Sequence, residues 1–485
     1  MHAAPSYGLM IRNHKSYRAS GVPPAISSEF RPHIVPKSQK IQDYFDTGIP
    51  EVFERDLDLG AVQPPARGNL AIVVAGVRRC GKTYRLYQEM HRIVQAGYSF
   101  DNILYFNFED ERLRPYDSQL LSKVLDTFYA MRPQAKTEGA FLFFDEIQEV
   151  PEWGAFLRRV IDTQKATMYV TGSSSKMLST GLASEFRGRS LTRELYPMSF
   201  GEYARFRGVR AKGTGAGASI VFGSTLSAQL RNLLPEYLER GGFIAAQKLS
   251  PADRISLLQE YAYRTVNMDV VERYGVRNQV VASRFLTRCL ASSGRELSIN
   301  KLAAQFKSAG VSTSRATLSN LLSYYQEAYL VFELNEFSRS LADNTRSASK
   351  VYAIDPGMLM AFSPSASRDE AQRLETAVFN KMKRVNVSPR HGSLSRLLVT
   401  ESGAIRHEID FVVGDPLMGE AYQLVQVTWD MSNEKTRARE ILGLQAGMRS
   451  LGVPEGWIVT MDEEDEVAFE GGVVHIVPAW KWLLD

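Results

Sequence analysis

The sequence predicts an α/β protein in three parts: a parallel-sheet domain, a helical middle region, and a second α/β domain. Three observations lead to this prediction. At 485 residues, the chain is long enough for about two to four domains. Apolar runs alternate with helical patterns from residue 66 to residue 210, as in a parallel sheet covered on both faces. The pattern is helical over residues 220–338, and strands return over 341–485.

The first 65 residues are rich in proline, serine and basic side chains, and we expect a flexible segment with one lead-in helix near residues 41–59. Residues 1–18 lack the apolar stretch of a secretory signal, and no apolar run approaches the ~18 residues that span a bilayer. Of the two cysteines, Cys80 and Cys289, the first lies in a motif, which argues against a structural disulfide. A cytoplasmic protein without a membrane partner is expected.

A phosphate-binding loop is predicted at residues 76–83, GVRRCGKT, directly after the apolar run Ala71–Ala75. Two glycines that bracket four residues, followed by Lys-Thr, form a loop that wraps a polyphosphate in backbone N–H groups at a helix N-terminus. We expect Lys82 to reach the β- and γ-phosphates and the Thr83 hydroxyl to bind Mg²⁺. The predicted nucleotide-binding residues are Gly76, Val77, Arg78, Arg79, Cys80, Gly81, Lys82 and Thr83.

Paired acids follow a second apolar run, Phe141–Phe144, about where the next strand of such a sheet is expected. An apolar run that ends in acids places the carboxylates at the carboxyl edge of a buried strand, beside the phosphate-binding loop. Asp145 is therefore predicted to hold Mg²⁺, and Glu146 to polarise the attacking water. A solvated acidic turn is the alternative for this motif taken alone.

Two further elements are candidates for contacts with the γ-phosphate. The cluster after Thr171 predicts that Ser173 senses the γ-phosphate or the lytic water, with helix capping as the alternative. Arg187 and Arg189 flank a glycine just before a strand, and either arginine could project towards a phosphate in its own subunit or in a neighbour's. A surface basic turn is the alternative for this arginine pair.

Five segments together carry a resemblance to a known family: GVRRCGKT, NFEDERL, FLFFDEIQ, TGSSSKML and EFRGRSLTRELYPMSFGEY, in this order. The chain resembles prokaryotic AAA-type P-loop ATPases that pair an N-terminal AAA domain with a C-terminal domain similar to PD-(D/E)XK nucleases. The resemblance covers nearly the whole chain after about residue 50. It implies an AAA-type ATPase core with ATP and Mg²⁺ as ligands, and it does not supply a cellular task.

The middle region is predicted to contain a helical lid, residues 220–278, and a winged helix-turn-helix, residues 279–338. The last helix of the helix-turn-helix would present four side chains to DNA. Only one of them is basic, so a domain-packing role is an equal alternative to DNA binding. The four residues are Ser314, Arg315, Thr317 and Asn320.

In the last domain, residues 341–485, acids stand in the order that a PD-(D/E)XK nuclease uses. Glu375 lies on a predicted helix and Asp410 on a predicted strand, which makes them candidates for a second metal site. The next strand should read acid, apolar, lysine, but it carries Gln426 and Thr428 at these positions. A nuclease-like scaffold without cleavage is therefore favoured, unless Lys435 nearby replaces the lysine.

Three functions remain open at this point. The first is an ATPase that couples hydrolysis to a change in its C-terminal half. The second is an ATP-switched DNA-binding protein or nuclease, which the net charge of +4 permits without requiring it. The third is an interaction protein whose ATP site sets an assembly state, including a homo-oligomer with an arginine finger in trans. The acid pair favours hydrolysis over binding alone.

Overall fold

A computed structural model describes residues 37–172, 186, 188–210, 222–338, 348–363, 369–385, 393–401 and 404–484. These residues form three consecutive units: a parallel-sheet unit, a helical unit that carries a small sheet, and a C-terminal unit built on a mixed sheet. No helix in these ranges combines the length and the apolar character needed to cross a membrane.

The first unit contains five parallel strands and the helices between them. Its elements are α1 (Lys37–Thr47), β1 (Ala71–Ala75), α2 (Lys82–Gln95), β2 (Ile103–Asn107), α3 (Leu120–Met131), α4 (Pro133–Glu138), β3 (Ala140–Asp145), α5 (Trp153–Thr163), β4 (Ala166–Thr171), β5 (Ser190–Glu194) and α6 (Phe200–Phe206), with short 3-10 turns at Phe100–Asn102, Glu111–Leu113 and Ile147–Glu149. Strand β1 coincides with the apolar run Ala71–Ala75, and β3 extends the run Phe141–Phe144 by one residue at each end, because strands buried on both faces are continuous apolar runs.

The strand order of this sheet is β2-β3-β4-β1-β5, and all of its pairings are parallel. One apolar layer lies under α3 and α5, and a second lies on the opposite face under α2 and continues into the other units. Strand β4 lies between the loop strand β1 and the acid strand β3. The order therefore brings the carboxyl ends of β1, β4 and β3 side by side.

The second unit is helical and ends in a small antiparallel sheet with the order β6-β8-β7. Its elements are α7 (Ser224–Arg240), a 3-10 turn (Ile244–Ala246), α8 (Pro251–Thr265), a π-helical turn (Val266–Val271) followed by Glu272–Tyr274, α9 (Gln279–Ala291), β6 (Arg295–Glu296), α10 (Ile299–Ser308), α11 (Arg315–Glu327), β7 (Val331–Leu334), β8 (Lys350–Ala353) and α12 (Pro356–Phe362). Three helices and three strands occur in the order expected of a winged helix, whose assignment stays a prediction.

The C-terminal unit has a six-stranded mixed sheet with the order β13-β14-β12-β11-β10-β9. Its elements are α13 (Glu370–Val385), β9 (Ser393–Glu401), β10 (Ala404–Asp415), β11 (Glu420–Val427), α14 (Glu434–Leu451), β12 (Glu455–Thr460), β13 (Asp465–Phe469), β14 (Gly472–Pro478) and α15 (Ala479–Trp482). The similarity of this unit to PD-(D/E)XK nucleases stays a prediction.

The predicted boundary of the last domain at residue 341 requires a correction. Strand β8 lies beyond that boundary, yet it pairs with β7 and β6 of the second unit. Helix α12 then packs against α7 and α8, also in the second unit. The sequence pattern did not show this because a strand of four residues has no periodicity of its own, and its partners are distant in the chain.

Candidate nucleotide-binding site

The predicted loop follows β1 and leads into α2, and two of its glycines need the conformational freedom of glycine. Gly76 has φ 155°, and a Cβ atom there would lie 2.1 Å from the carbonyl oxygen of Leu195. Gly81 has φ 103° at the start of α2. No larger residue would fit at Gly76 without displacing the backbone of the chain beyond β5.

The Lys82 side chain folds back over the loop. Its ammonium donates to the carbonyl oxygens of Gly76, at 3.1 Å, and of Val77, at 3.3 Å, and lies 3.8 Å from Glu146 Oε1. The side chain is almost fully buried, at 5% exposure. A lysine held in this position offers its charge to a phosphate that lies in the loop.

Asp145 accepts hydrogen bonds from four side chains, which belong to three elements at this edge of the sheet, α2, β2 and β4. Thr83 Oγ1 donates to Asp145 Oδ2 at 2.8 Å, Tyr105 Oη at 3.0 Å and Asn107 Nδ2 at 3.2 Å, while Thr171 Oγ1 donates to Oδ1. Asp145 is completely buried, and burial, together with the neighbouring Glu146 carboxylate, raises its pKa. A cation beside this carboxylate would offset the cost of burying it.

Glu146 lines the open cavity, whereas Asp145 is completely buried. Its backbone takes a left-handed conformation, with φ 54°, and its N–H donates to Thr171 Oγ1 at 3.1 Å. Its Oε2 accepts a hydrogen bond of 2.6 Å from Gln148 Nε2, and its side chain lines the cavity in front of the loop. A non-glycine residue in this backbone region is uncommon and often marks a functional position.

Thr171 is a site residue that the sequence interpretation missed. Its hydroxyl donates to Asp145 and accepts from the Glu146 N–H, so it fixes both acids relative to β4. The signal in the sequence that could have identified Thr171 is its polar side chain at the carboxyl end of a buried strand. Ser173, the residue predicted to sense the γ-phosphate or the lytic water, lies outside the described residues.

A cavity of about 580 Å³ opens in front of the loop, a volume typical of small-molecule sites. Loop residues form one wall, and the opposite wall comes from the second unit, including Tyr261 and Arg264 of α8. The basic lining side chains outnumber the acidic ones, which suits a polyanion. The lining residues are Phe53, Arg55, Arg78, Arg79, Gly81, Lys82, Thr83, Tyr84, Asn107, Glu109, Glu146, Ile244, Ala245, Tyr261 and Arg264.

Two arginines connect the loop to other parts of the chain. Arg55 donates to the carbonyl of Cys80 at 2.8 Å and pairs with the buried Glu202 at 2.8 Å. Arg78 forms a bidentate pair with Asp269 in the π-helical turn, at 2.8 and 2.9 Å. The Cys80 thiol is buried, which raises its pKa and keeps it neutral.

Arg189 is not part of this cavity within one subunit. Arg189 lies at the amino end of the sheet, where its carbonyl accepts the N–H of Ala71 and its guanidinium pairs with Asp162 at 2.7 Å. The loop lies at the opposite end of β1. Of the two alternatives for Arg189, a contact with the phosphate of its own subunit does not fit this position, and Arg187 lies outside the described residues.

Glu375 and Asp410 do come together in the C-terminal unit, but around a lysine. The ammonium of Lys350, on β8, lies 3.0 Å from Glu375 Oε1 and 2.9 Å from Asp410 Oδ1. Lys435, the expected substitute, lies exposed in the first turn of α14. Gln426 lies beside Asp410 and receives its N–H at 3.2 Å.

The candidate DNA-reading side chains are exposed at the start of α11. Ser314 caps this helix, accepting the Thr317 N–H at 3.1 Å, so these two residues also have a structural role. DNA binding by Arg315 and Asn320 stays a prediction.

Comparison with known proteins gives the following similarities. Residues 68–204 match the AAA domain family, and residues 231–369 match a domain of unknown function, DUF8612. The chain is 31% identical over 442 residues to the uncharacterized protein MJ1544 of Methanocaldococcus jannaschii, covering 90% of this chain and 91% of that protein. It is 22% identical over 413 residues to an uncharacterized protein of Haemophilus influenzae, covering 85% of this chain and 94% of that protein.

Among solved structures, the Walker-type ATPase PABY2304 of Pyrococcus abyssi aligns with a TM-score of 0.37 and 14% identity. The alignment covers 67% of this chain and 94% of that one.

Proposed function

The chain belongs to the same protein family as MJ1544 and contains an AAA-type ATPase domain, and on that premise we propose that it binds and hydrolyses ATP with Mg²⁺. We further propose that the nucleotide cycle changes the position of the helical and C-terminal units. The observation that carries the first proposal is the contact between Thr83 of the loop and the buried Asp145 of β3.

The two ends of the cavity differ in chemistry, and each suits one part of an ATP molecule. The basic loop end suits the triphosphate, because backbone N–H groups at the start of α2 and the Lys82 ammonium face it. The other lining side chains include the apolar Phe53, Ile244 and Ala245 and the ring of Tyr261, which suit a purine. Nucleotide would thus contact both the first and the second unit.

The residues present fit a Mg²⁺ ion. Thr83 Oγ1 and Asp145 Oδ2 are 2.8 Å apart at the phosphate end, and Mg²⁺ in such sites takes few protein oxygens besides phosphates and waters. When bound, the ion would neutralise charge on the β- and γ-phosphates. Asp145, held by hydrogen bonds from Tyr105, Asn107 and Thr171, is oriented for this role.

Glu146 is placed to act as the base for water. It projects into the cavity from the residue after Asp145, and Gln148 and Thr171 hold its side chain and backbone. A carboxylate in this position can accept a proton from water as the water attacks the γ-phosphate. The Lys82 ammonium lies 3.8 Å from Glu146 Oε1.

The pair Arg78–Asp269 supports coupling to the second unit. Arg78 belongs to the loop, and Asp269 belongs to a π-helical turn that leads towards α9. π-Helical turns are rare and frequently occur at functional sites. A phosphate that draws Arg78 towards itself would loosen its hold on Asp269, and this would alter the turn.

The coupling is tested with Asp269→Asn, which removes the charge that holds Arg78. In the wild-type chain, ATP is expected to change hydrogen exchange across residues 266–274. In Asp269→Asn this response should be lost while ATP still binds. Asp462→Asn, which removes a surface partner of Arg231, is the matched control and should keep the response. A full response in Asp269→Asn would exclude this pair as the link.

The function is tested by the steady-state ATPase rate of the full chain, with EDTA as the control for Mg²⁺. Each reaction is run without DNA, with single-stranded DNA and with double-stranded DNA. An ATPase rate that rises when DNA is added would favour the ATP-switched DNA-binding protein. The exposed helix α11 would then be the candidate DNA contact. Binding of ATP without turnover under any of these conditions would contradict hydrolysis and favour the assembly role.

An arginine finger in trans remains open for Arg189, which faces away from its own loop. If Arg189 completes the site of a neighbouring subunit, Arg189→Ala and Lys82→Ala proteins should each be inactive, and mixing them should restore part of the rate. Restoration follows because a Lys82→Ala subunit still supplies Arg189 to its neighbour. A mixture as inactive as its components would exclude the role in trans.

A further inference from the structure

A cluster of charged side chains lies where β8 of the second unit meets the C-terminal unit. The Lys350 ammonium lies within 3.0 Å of three carboxylates: Asp410 Oδ1 at 2.9 Å, Glu375 Oε1 at 3.0 Å and Glu408 Oε1 at 3.0 Å. The side chains of Lys350 and Asp410 are each 9% exposed, whereas Glu408 is 37% exposed. The lysine is thus an internal counter-charge for two acids that are largely removed from water.

Further hydrogen bonds hold the two acids. Glu375 Oε1 accepts a second hydrogen bond from Tyr352 Oη at 2.7 Å, and Asp410 Oδ2 accepts the Val427 N–H at 3.0 Å. Both polar atoms of the Gln426 side-chain amide are hydrogen-bonded. Its Oε1 accepts from the Asp410 N–H, and its Nε2 donates to Glu440 Oε2 at 3.0 Å.

These contacts do not fit a metal site. Mg²⁺ requires oxygen ligands at about 2.0–2.1 Å and usually keeps several waters, whereas here an ammonium lies between the acids. A divalent cation in the same place would be repelled by Lys350 and would have to displace it. Among the described residues, no group of three or more His, Cys, Asp or Glu side chains is arranged to hold a metal ion.

The lysine is held firmly by the strand that carries it. Tyr352, two residues on, is fully buried, and its ring stacks on Phe379 of α13 at 4.1 Å and lies 5.7 Å from Phe411 of β10. Burial alone would lower the pKa of Lys350, but Asp410, Glu375 and Glu408 raise it above its usual value. Burial and Asp410 raise the pKa of Glu375 to about 7.

We propose that the Lys350 ammonium occupies the place of a divalent metal and fastens β8 to α13 and β10, so that the acid pair Glu375–Asp410 is a closed ion cluster. The C-terminal unit then holds no metal and cleaves no nucleic acid while β8 is docked. The role of the cluster is to join the helical unit to the C-terminal unit.

The first test counts Mn²⁺ bound to the nucleotide-free full chain by electron paramagnetic resonance of the free ion. The wild type and Asp410→Asn should bind the same number of ions, because Asp410 is closed to metal. Lys350→Met, which keeps the unbranched apolar stem of the side chain and removes its charge, should bind one ion more, with a Kd on the order of 0.1–1 mM. Adding Asp410→Asn to Lys350→Met should remove that ion.

Lys435→Met is the matched control, since it removes an exposed lysine and should leave the count unchanged. A wild-type ion that disappears in Asp410→Asn would overturn the proposal, and so would a folded Lys350→Met chain that gains none. If Lys350→Met does not fold, the comparison of the wild type with Asp410→Asn still decides.

The second test is nicking of supercoiled plasmid DNA by the wild-type chain with Mg²⁺ or Mn²⁺. No nicking is expected. Nicking that disappears in Asp410→Ala would overturn the proposal and assign Lys350 as the lysine of an active nuclease. Neither result depends on ATP hydrolysis, so the proposed ATPase function stands or fails separately.

Discussion

Lys82→Ala is expected to abolish ATP binding, with a loss of at least about 100-fold in affinity, or about 2.7 kcal/mol. The lysine is buried at the mouth of the loop, where its ammonium is already oriented by the carbonyls of Gly76 and Val77. Alanine removes the charge that faces the phosphates, and the surrounding carbonyls cannot replace it. The measurement is the equilibrium binding of a fluorescent ATP analogue.

The matched control for this variant is Lys435→Ala, which removes a lysine exposed on the C-terminal unit. It should bind ATP as tightly as the wild type. Circular dichroism should show that both variants keep the helix content of the wild type. An unchanged affinity in Lys82→Ala would remove the phosphate-loop assignment, and with it the proposed function.

Glu146→Gln is expected to keep ATP binding and to reduce kcat by about 10²–10⁴-fold. Glutamine has nearly the same shape, so it can still accept the hydrogen bond from Gln148, but it cannot accept a proton from water. Removing a negative charge 3.8 Å from Lys82 should, if anything, tighten the binding of the triphosphate. Steady-state hydrolysis and ATP binding are measured on the same preparation.

Glu149→Gln is the control for this second variant, since Glu149 lies three residues further on and is 4.0 Å from Arg114. Its turnover should equal that of the wild type. Full activity in Glu146→Gln would place the base elsewhere in the cavity. Loss of ATP binding in this variant would instead show that Glu146 has a structural role.

Much of the first unit could be predicted because its signals are local. The loop carries its glycines, lysine and threonine within eight consecutive residues, and the acids directly follow a buried strand. Parallel strands buried on both faces are apolar throughout, so their ends can be located from the chain alone. The structure places Thr83 and Asp145 in contact.

Predictions that depended on a residue's surroundings were less successful. Arg189 stands just before β5, and the parallel pairing of β5 with β1 puts it at the amino end of the sheet, away from the loop. The sequence does not distinguish Thr171 from Ser173 as a site residue, because both are polar residues after the same apolar run. The choice depends on which of them faces β3.

The sequence by itself located the glycine-rich loop, the acid pair and the order of the units, because each depends on residues that are close together in the chain. Only the tertiary structure decided that α8 closes the cavity, that Arg78 holds the π-helical turn, and that Lys350 pairs with Glu375 and Asp410. These contacts join residues that are far apart in sequence. Burial then makes each pairing specific, because a charge removed from water requires a partner.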